Sequence, residues 1–317
     1  MSDLILADET STAATATAGR DLNPEDLAAL RRAVRALEQP GLAARLSAAA
    51  GAPLEMIGRS LPAPVTEAVG RTTEVAMRGA LRVALATLPR TQIVQGAGPS
   101  ADSSADKAVA VAERVETRIE GRLARLIGSS ETAHKALAAV TGAVGGAFGL
   151  ATLAVELPVS TTIMLRSIAE IAREEGEDLE TPEGALACVQ VFALGGRPGQ
   201  NLSESGYFAV RAALAKTMAE AARYAGSKTL LDQGAPALVR FTAQIAARFG
   251  IVVSQKVAAQ AVPILGALGG ATVNTAFMNH FQTMARGHFT VRRLERTYGP
   301  ETVRAAYESE KAALGVA

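Results

Sequence analysis

Two long stretches without a charged side chain constrain the fold of this chain more than any other feature. The first stretch, 136–155, is 20 residues long, and the second, 257–285, is 29 residues long. A helix of about 20 apolar residues is long enough to cross a bilayer. The first stretch is rich in Gly, Ala and Thr, however, and Glu-Leu-Pro at 156–158 follows it directly. Because proline removes a backbone donor and crowds the preceding turn, we predict two helices that meet near 150–158 rather than one straight span.

Glycines spaced by four residues occur in both stretches. Gly142 and Gly146 form such a pair in the first stretch, and Gly266 and Gly270 form one in the second. Residues four apart share a helix face, and small residues there let two helix backbones approach closely, in lipid or in a soluble core. We predict that these glycines pack a buried helical hairpin in each stretch. A hairpin that dips into a bilayer and a true membrane span are the alternatives.

Composition points to helices rather than strands. Apolar residues make up 49% of the chain, aromatic residues make up 4%, and tryptophan does not occur. Strands prefer β-branched and aromatic residues, whereas Ala and Leu favour helices. No stretch alternates apolar and polar residues for long enough to predict a strand. The predicted fold is an all-α multi-helix bundle that contains the two Gly-rich apolar hairpins.

Capping residues, prolines and glycines mark the predicted helix ends. Starts are expected at 23–26, 181–183 and 299–301, where a residue suited to capping precedes a proline and an acidic residue. Glycines are expected to end helices because they adopt the left-handed conformation common at C-termini. These predicted stops are Gly176, Gly195, Gly226, Gly250 and Gly299.

Four regions follow from the sequence pattern. Residues 1–22 lack a basic start and a long apolar segment, so they predict a disordered tail rather than a signal peptide. Residues 23–95 form an N-terminal helical region. Residues 96–106 (GAGPSADSSAD) are small and polar and predict a linker. Residues 107–317 form a second helical domain.

Charge and cysteine content exclude several classes of function. The net charge is +1, from 32 basic and 31 acidic residues, which gives no basic surface for wrapping nucleic acid. Cys188 is the only cysteine, so neither a disulfide nor a thiolate metal site can form within the chain. Its apolar surroundings favour core packing. We therefore expect a cytoplasmic protein without a nucleic-acid partner.

The sequence carries no recognisable catalytic motif. The glycine-rich segments do not match a phosphate-binding loop, and neither a G-x-S-x-G elbow nor an H-E-x-x-H pair occurs. We predict no metal site and no cofactor. Whether the protein is an enzyme stays open, with a non-enzymatic role favoured.

Five polar residues stand in apolar surroundings near the two stretches, and two interpretations apply to them. The first is a paired network that fixes helix register, because an unpaired buried charge is costly. The second is a ligand or catalytic pocket, with Glu156 as general base and His280 as a second proton carrier. The five residues are Glu156, Arg166, Glu170, Asn274 and His280.

A basic cluster follows the second apolar stretch. Between 286 and 296, four arginines and one glutamate give a local net charge of +3 with histidines neutral. Basic residues beside an apolar hairpin suit an anionic membrane surface. They equally suit a helix that caps a domain through ordinary salt bridges. The four residues are Arg286, Arg292, Arg293 and Arg296.

Four segments stand out in chain order: ELPV at 156–159 with IMLRSIAEIA at 163–172, LACVQVFALGG at 186–196, VPILGALGGATVN at 262–274 and HFQTMARGHFTVRRLERTYG at 280–299. Together they resemble the EcsC protein family over about residues 130–300. The resemblance implies a membrane-linked role, since the family takes its name from a member encoded beside an ABC transporter. It implies no catalytic residue, and the family's biochemical role is unassigned.

Together, these observations predict a cytoplasmic helical protein that binds the inner membrane surface reversibly. Arginines 286, 292, 293 and 296 would meet anionic headgroups, and a membrane complex or transporter would be its partner. The main alternative is an enzyme or small-ligand binder with a polar pocket between the hairpins. A purely structural partner of a membrane complex is the third hypothesis.

Overall fold

The structure is a computed structural model, and it describes residues 21–38, 42, 61–86, 153–195, 206–227, 235–261 and 270–315. Within these ranges the chain forms eight α-helices and no strand, which confirms the all-α prediction. The helices are α1 Pro24–Glu38, α2 Ala63–Ala86, α3 Leu153–Glu174, α4 Pro182–Leu194, α5 Tyr207–Ser227, α6 Pro236–Ala261, α7 Gly270–Tyr298 and α8 Pro300–Ala313.

The short helix α4 lies at the centre of the bundle. It contacts α2, α3, α5, α6 and α7. Every residue from Gly184 to Leu194 is buried, so this helix has no solvent-facing side. A helix that is apolar all round is stable only when neighbours cover it completely, and five neighbours do so here.

Two helices at the chain's ends form an outer layer on α7. The N-terminal helix α1 packs against α7 and α8, and α8 packs against α7. Gly287 permits the close approach of α1 and α7, because a Cβ atom at this position would lie 2.7 Å from Cγ of Leu37. Buried residues from all eight helices belong to one hydrophobic cluster. The described helices of region 23–95 therefore share a core with those of region 107–317.

Three predicted helix starts match the structure. Helix α1 begins at Pro24 behind Asn23, whose side-chain oxygen accepts the backbone N–H of Asp26 at 2.7 Å. Helix α4 begins at Pro182, and Thr181 caps it by accepting the N–H of Gly184. Helix α8 begins at Pro300. These starts could be predicted because capping depends on a few neighbouring residues.

One predicted helix stop is wrong, because helix α6 runs through Gly250 to Ala261. A Cβ atom at Gly250 would lie 4.0 Å from the side chain of Thr73, an ordinary contact distance, so the packing against α2 does not require a glycine there. The stop expected at Gly226 lies one residue before the end of α5 at Ser227. The stops expected at Gly176, Gly195 and Gly299 do follow helix ends.

The interrupted apolar segment is helical where the structure describes it. Helix α3 begins at Leu153 and contains Pro158 as its sixth residue, so the helix continues past a position that lacks an N–H donor. Gly142, Gly146 and Gly266 lie outside the described residues, as do most of 1–22 and all of 96–106. Gly270 is the first residue of α7. The two Gly-rich hairpins therefore stay a prediction.

Candidate functional site

A buried ion pair joins the first turns of α3 to the last turns of α6. Glu156 Oε1 accepts a hydrogen bond from Lys256 Nζ at 2.5 Å. The two side chains are 6% and 0% exposed, respectively. Glu156 lies in the first turn of α3, where the helix dipole favours its negative charge.

An aromatic cluster surrounds the ammonium group. Lys256 Nζ lies 5.1 Å from the ring centroid of Phe277, within range of a cation–π contact. Phe277 packs in turn against Phe249 and Phe281, with centroids 6.0 and 5.2 Å away. Burial in this apolar setting lowers the pKa of Lys256, and the carboxylate of Glu156 offsets part of that effect.

Sequence reasoning selected Glu156 but missed its partner. A usable signal was present: Glu156 is the first charge after the stretch 136–155, and Lys256 is the last charge before the stretch 257–285. A charge that an adjoining apolar run carries into the core requires a partner of opposite sign. Two such charges at corresponding edges are therefore natural candidates for a pair.

The other four predicted polar residues lie in three different surroundings. Arg166 and Glu170 are half-buried and line a cavity between α2, α3 and α4. His280 Nε2 donates to the carbonyl oxygen of Gly195, which directly follows α4, at 3.1 Å. Asn274 is buried within α7. Of the five, only Arg166 and Glu170 are found among the described residues that line this cavity.

Three of the four predicted arginines form ion pairs with the turn that follows α3. Arg292 binds Glu177 through two hydrogen bonds, of 2.5 and 3.0 Å. Arg296 binds the same carboxylate and the backbone carbonyl of Glu175. Arg293 binds the Glu175 carboxylate at 2.9 Å. We call these five residues the arginine cluster.

The arginine cluster also holds the N-terminal helix in place. Arg293 donates to Asp26 of α1 at 2.9 Å, and Tyr298 donates to the same carboxylate at 2.7 Å. The Tyr298 hydrogen bond, together with Arg293, lowers the pKa of Asp26 against a smaller effect of burial. Of the two interpretations of the basic segment, these contacts fit the one in which its arginines form ordinary salt bridges within the protein. Arg286, the fourth arginine, is exposed on α7.

The pKa of Glu177 is lowered by its contacts with the arginine cluster. Burial raises the pKa of its carboxyl group, but the hydrogen bond and charge of Arg292, with Arg296, outweigh burial and leave the pKa below its usual value. Its carboxylate is thus the main acceptor of the cluster. The positive φ of Gly176, 70°, provides the tight turn that places Glu175 and Glu177 beside α7.

A second buried network, which sequence reasoning did not assemble, joins α5 to α7. Arg211 binds Glu295 through two hydrogen bonds and donates a third to the hydroxyl of Tyr207. The Tyr207 hydroxyl lies 2.9 Å from Nδ1 of His288. Burial and the nearby charges of Arg211 and Arg292 hold the pKa of His288 well below its usual value. The imidazole of His288 is therefore neutral at physiological pH and shares one hydrogen bond with the Tyr207 hydroxyl.

Within the described ranges, no group of three or more His, Cys, Asp or Glu side chains could hold a metal ion. Cys188 is buried and free. In the same part of the chain one helix, Pro236–Gln260 within α6, is long and apolar enough to cross a membrane by length and composition. Its apolar window has a mean hydropathy of 1.3 and is 44% buried.

These features define a class of protein: an all-α bundle whose buried helix termini are joined by ion pairs. The particular family follows from comparison with known proteins. The model of the EcsC protein family matches residues 25–294, so the chain belongs to the EcsC protein family. The match reaches further towards the N-terminus than the motifs at 130–300 indicate, and it includes α1 and α2. No curated protein and no solved structure matches the chain.

Proposed function

We propose that this protein is cytoplasmic, binds reversibly to the surface of an anionic bilayer, and meets the bilayer with α6. The observation that carries the proposal is the partial exposure of this apolar helix. Its apolar window is 44% buried, whereas α4 is buried from Gly184 to Leu194. Core packing explains all of α4 and the large buried side chains of α6, such as Phe241 and Phe249, but it does not explain the exposed Val239.

The outward side of α6 carries an apolar stripe next to the exposed polar residues Arg240 and Gln244. Val239, Ala243 and Ala247 are exposed, and Ile251 is half-buried. These residues are spaced by four, so they form one stripe on the helix. Val239 is a large hydrophobic side chain with 42% of its surface exposed. A stripe of this kind fits the boundary between headgroups and acyl chains.

The charges on α6 are all of one sign. The helix contains Arg240, Arg248 and Lys256 and no acidic residue. Lys256 is used in the core, but Arg240 is 60% exposed beside the apolar stripe, where it also binds Glu220 at 2.9 Å. An apolar helix with cationic side chains is attracted to anionic lipid.

The arginines that the sequence analysis assigned to the membrane surface support this proposal less than α6 does. Arg292, Arg293 and Arg296 are engaged with Glu175, Glu177 and Asp26, so lipid phosphates would have to compete with existing ion pairs. Charge reversal at Arg292 and Arg293 would break those pairs as well as any membrane contact. Variants on α6 therefore test the proposal more cleanly.

Flotation of the purified full-length chain with lipid vesicles tests the proposal. We expect the protein to float with vesicles that contain phosphatidylglycerol, to float less at high salt, and to stay behind with phosphatidylcholine alone. Val239→Asp should abolish flotation without unfolding the protein, because the side chain is exposed. Absence of flotation with either lipid would overturn the proposal, and normal flotation of Val239→Asp would exclude α6 as the contact.

A matched pair of variants tests the electrostatic part. Arg240 and Arg78 are both exposed arginines that bind a glutamate, but Arg78 lies on α2. Arg240→Glu and Arg78→Glu change the net charge equally. We expect Arg240→Glu to weaken binding to anionic vesicles several-fold and Arg78→Glu to have little effect. Equal weakening would show that only net charge matters, against a specific role for α6.

A further inference from the structure

A cavity of about 450 Å³ lies between α2, α3 and α4, apart from the exposed face of α6. Pockets of about 300–1,000 Å³ are the usual size for small organic ligands. The described part of its wall is mostly apolar and is formed by small and aliphatic side chains, among them Val83, Ala84, Leu165, Ala169 and Cys188. The cavity therefore has room for the apolar body of a small molecule.

The thiol at the α4 wall keeps that wall uncharged. Cys188 is 2% exposed, and burial raises the pKa of its thiol to about 12. At neutral pH the group is protonated and behaves as a small apolar side chain. The deep side of the cavity thus offers no anion that would repel a negatively charged ligand.

Three charged side chains of α3 form one edge of the cavity. Arg166, Glu170 and Arg173 line it, and their spacing of four and three residues places them on one face of the helix. Two cations and one anion give this edge a net charge of +1. Arg173 is exposed and the other two are half-buried, so the charged edge lies towards solvent.

We propose that this cavity binds a small soluble organic anion, a monocarboxylate with a short apolar body. The apolar body would lie against Val83, Leu165 and Ala169. The anionic group would meet the guanidinium group of Arg173, which is exposed at this edge and suits carboxylate oxygens. Glu170 disfavours a ligand with several negative charges. This proposal does not depend on membrane binding.

Calorimetric titration of the full-length chain with three molecules of equal chain length tests the assignment. Octanoate is the anionic probe, 1-octanol the neutral one and octylamine the cationic one. We expect octanoate to bind at least about tenfold more tightly than either of the others, in line with one charged hydrogen-bonded contact. Absence of octanoate binding, or equal binding of octanol, would overturn the proposal.

Two arginine variants locate the site. Arg173→Gln removes a cavity cation, and Arg71→Gln removes an exposed α2 arginine that is not among the cavity-lining residues described. We expect Arg173→Gln to weaken octanoate binding about tenfold and Arg71→Gln to leave it unchanged. Equal weakening of octanoate binding by both variants would contradict the assignment of the site to this cavity. Since both side chains are exposed, thermal unfolding should confirm that both variants remain folded.

A cavity-filling variant and a vesicle experiment complete the test. Ala86 is exposed and lines the cavity, so Ala86→Trp should obstruct it without disturbing the core, and octanoate binding should be lost. Undiminished binding would place the anion elsewhere. Val239→Asp should bind octanoate normally, and saturating octanoate should leave vesicle flotation unchanged. If octanoate prevents flotation, the cavity takes a lipid headgroup and the soluble-ligand assignment is wrong.

Discussion

The two ionic regions of this protein differ in burial and in the number of partners. Glu156 and Lys256 form a single pair inside the core, with side chains 6% and 0% exposed. In the arginine cluster, three arginines share two glutamates and one backbone carbonyl, and their side chains are 20–42% exposed. One region depends on a single contact in an apolar setting. The other distributes its contacts at the edge of the core, where the arginines reach solvent although Glu177 is only 6% exposed.

This difference determines what each region contributes. The buried pair has lost the hydration of both charges, so its net contribution is small, although removal of one partner leaves a costly buried charge. The arginine cluster keeps part of its hydration and can rearrange when one side chain is lost. The buried pair therefore specifies how α3 meets α6, while the arginine cluster adjusts how α7 meets α1 and the turn after α3.

The largest expected effect comes from breaking the buried pair on one side only. Lys256→Met leaves the Glu156 carboxylate without its partner and should lower the free energy of unfolding by about 3–5 kcal/mol. The double variant Glu156→Gln with Lys256→Met removes both charges and should recover most of this loss. Guanidinium unfolding, monitored by circular dichroism, measures the free energy of unfolding of both variants. A single variant as stable as the double would contradict the role given to burial.

A smaller effect is expected from the arginine cluster. Glu177→Gln weakens the hydrogen bonds from Arg292 and Arg296 and should lower the free energy of unfolding by about 1–2 kcal/mol. Glu67 is a matched control because it also pairs with an arginine, Arg71, but is 68% exposed. Glu67→Gln should cost less than about 0.5 kcal/mol. Urea unfolding compares the two, and equal costs would mean that the cluster is no more than a surface pair.

Acid should weaken the arginine cluster selectively. The folded pKa values of Glu177 and Asp26 lie below 4.5 and 3.8, their ordinary values. Between the folded and ordinary values the unfolded chain binds more protons, so stability falls as pH falls through that window. We expect the urea midpoint to drop below about pH 4.5, and to drop less in Glu177→Gln. An identical pH profile for both proteins would show that Glu177 contributes nothing there.

Salt should produce the smallest effect and the clearest contrast. Salt screens charges that reach solvent. The difference in free energy of unfolding between wild type and Glu177→Gln should therefore shrink by roughly a few tenths of a kcal/mol between about 0.05 and 0.5 M NaCl. The difference between wild type and Lys256→Met should hardly change, because the pair is buried. Repeating the unfolding measurements at both concentrations checks this. Equal salt sensitivity would remove the distinction between the two regions.

Local features of the fold were predictable because they depend on neighbouring residues. The starts of α1, α4 and α8 follow from capping residues and prolines. The stop predicted at Gly250 failed because glycine also occurs inside helices, and the sequence does not distinguish such a glycine from one that ends a helix. Glu156 could be identified as a charge in need of a partner, but Lys256 lies 100 residues away along the chain.

The sequence alone determined that this chain is helical, where several of its helices begin, and that it resembles the EcsC protein family. These properties follow from composition, capping and ordered motifs, all of which can be read along the chain. Only the tertiary structure decided which helix is covered on every side, which lysine neutralises Glu156, and that Arg292, Arg293 and Arg296 bind Glu175, Glu177 and Asp26. Burial and ion pairing depend on packing between distant segments, which local sequence patterns do not encode.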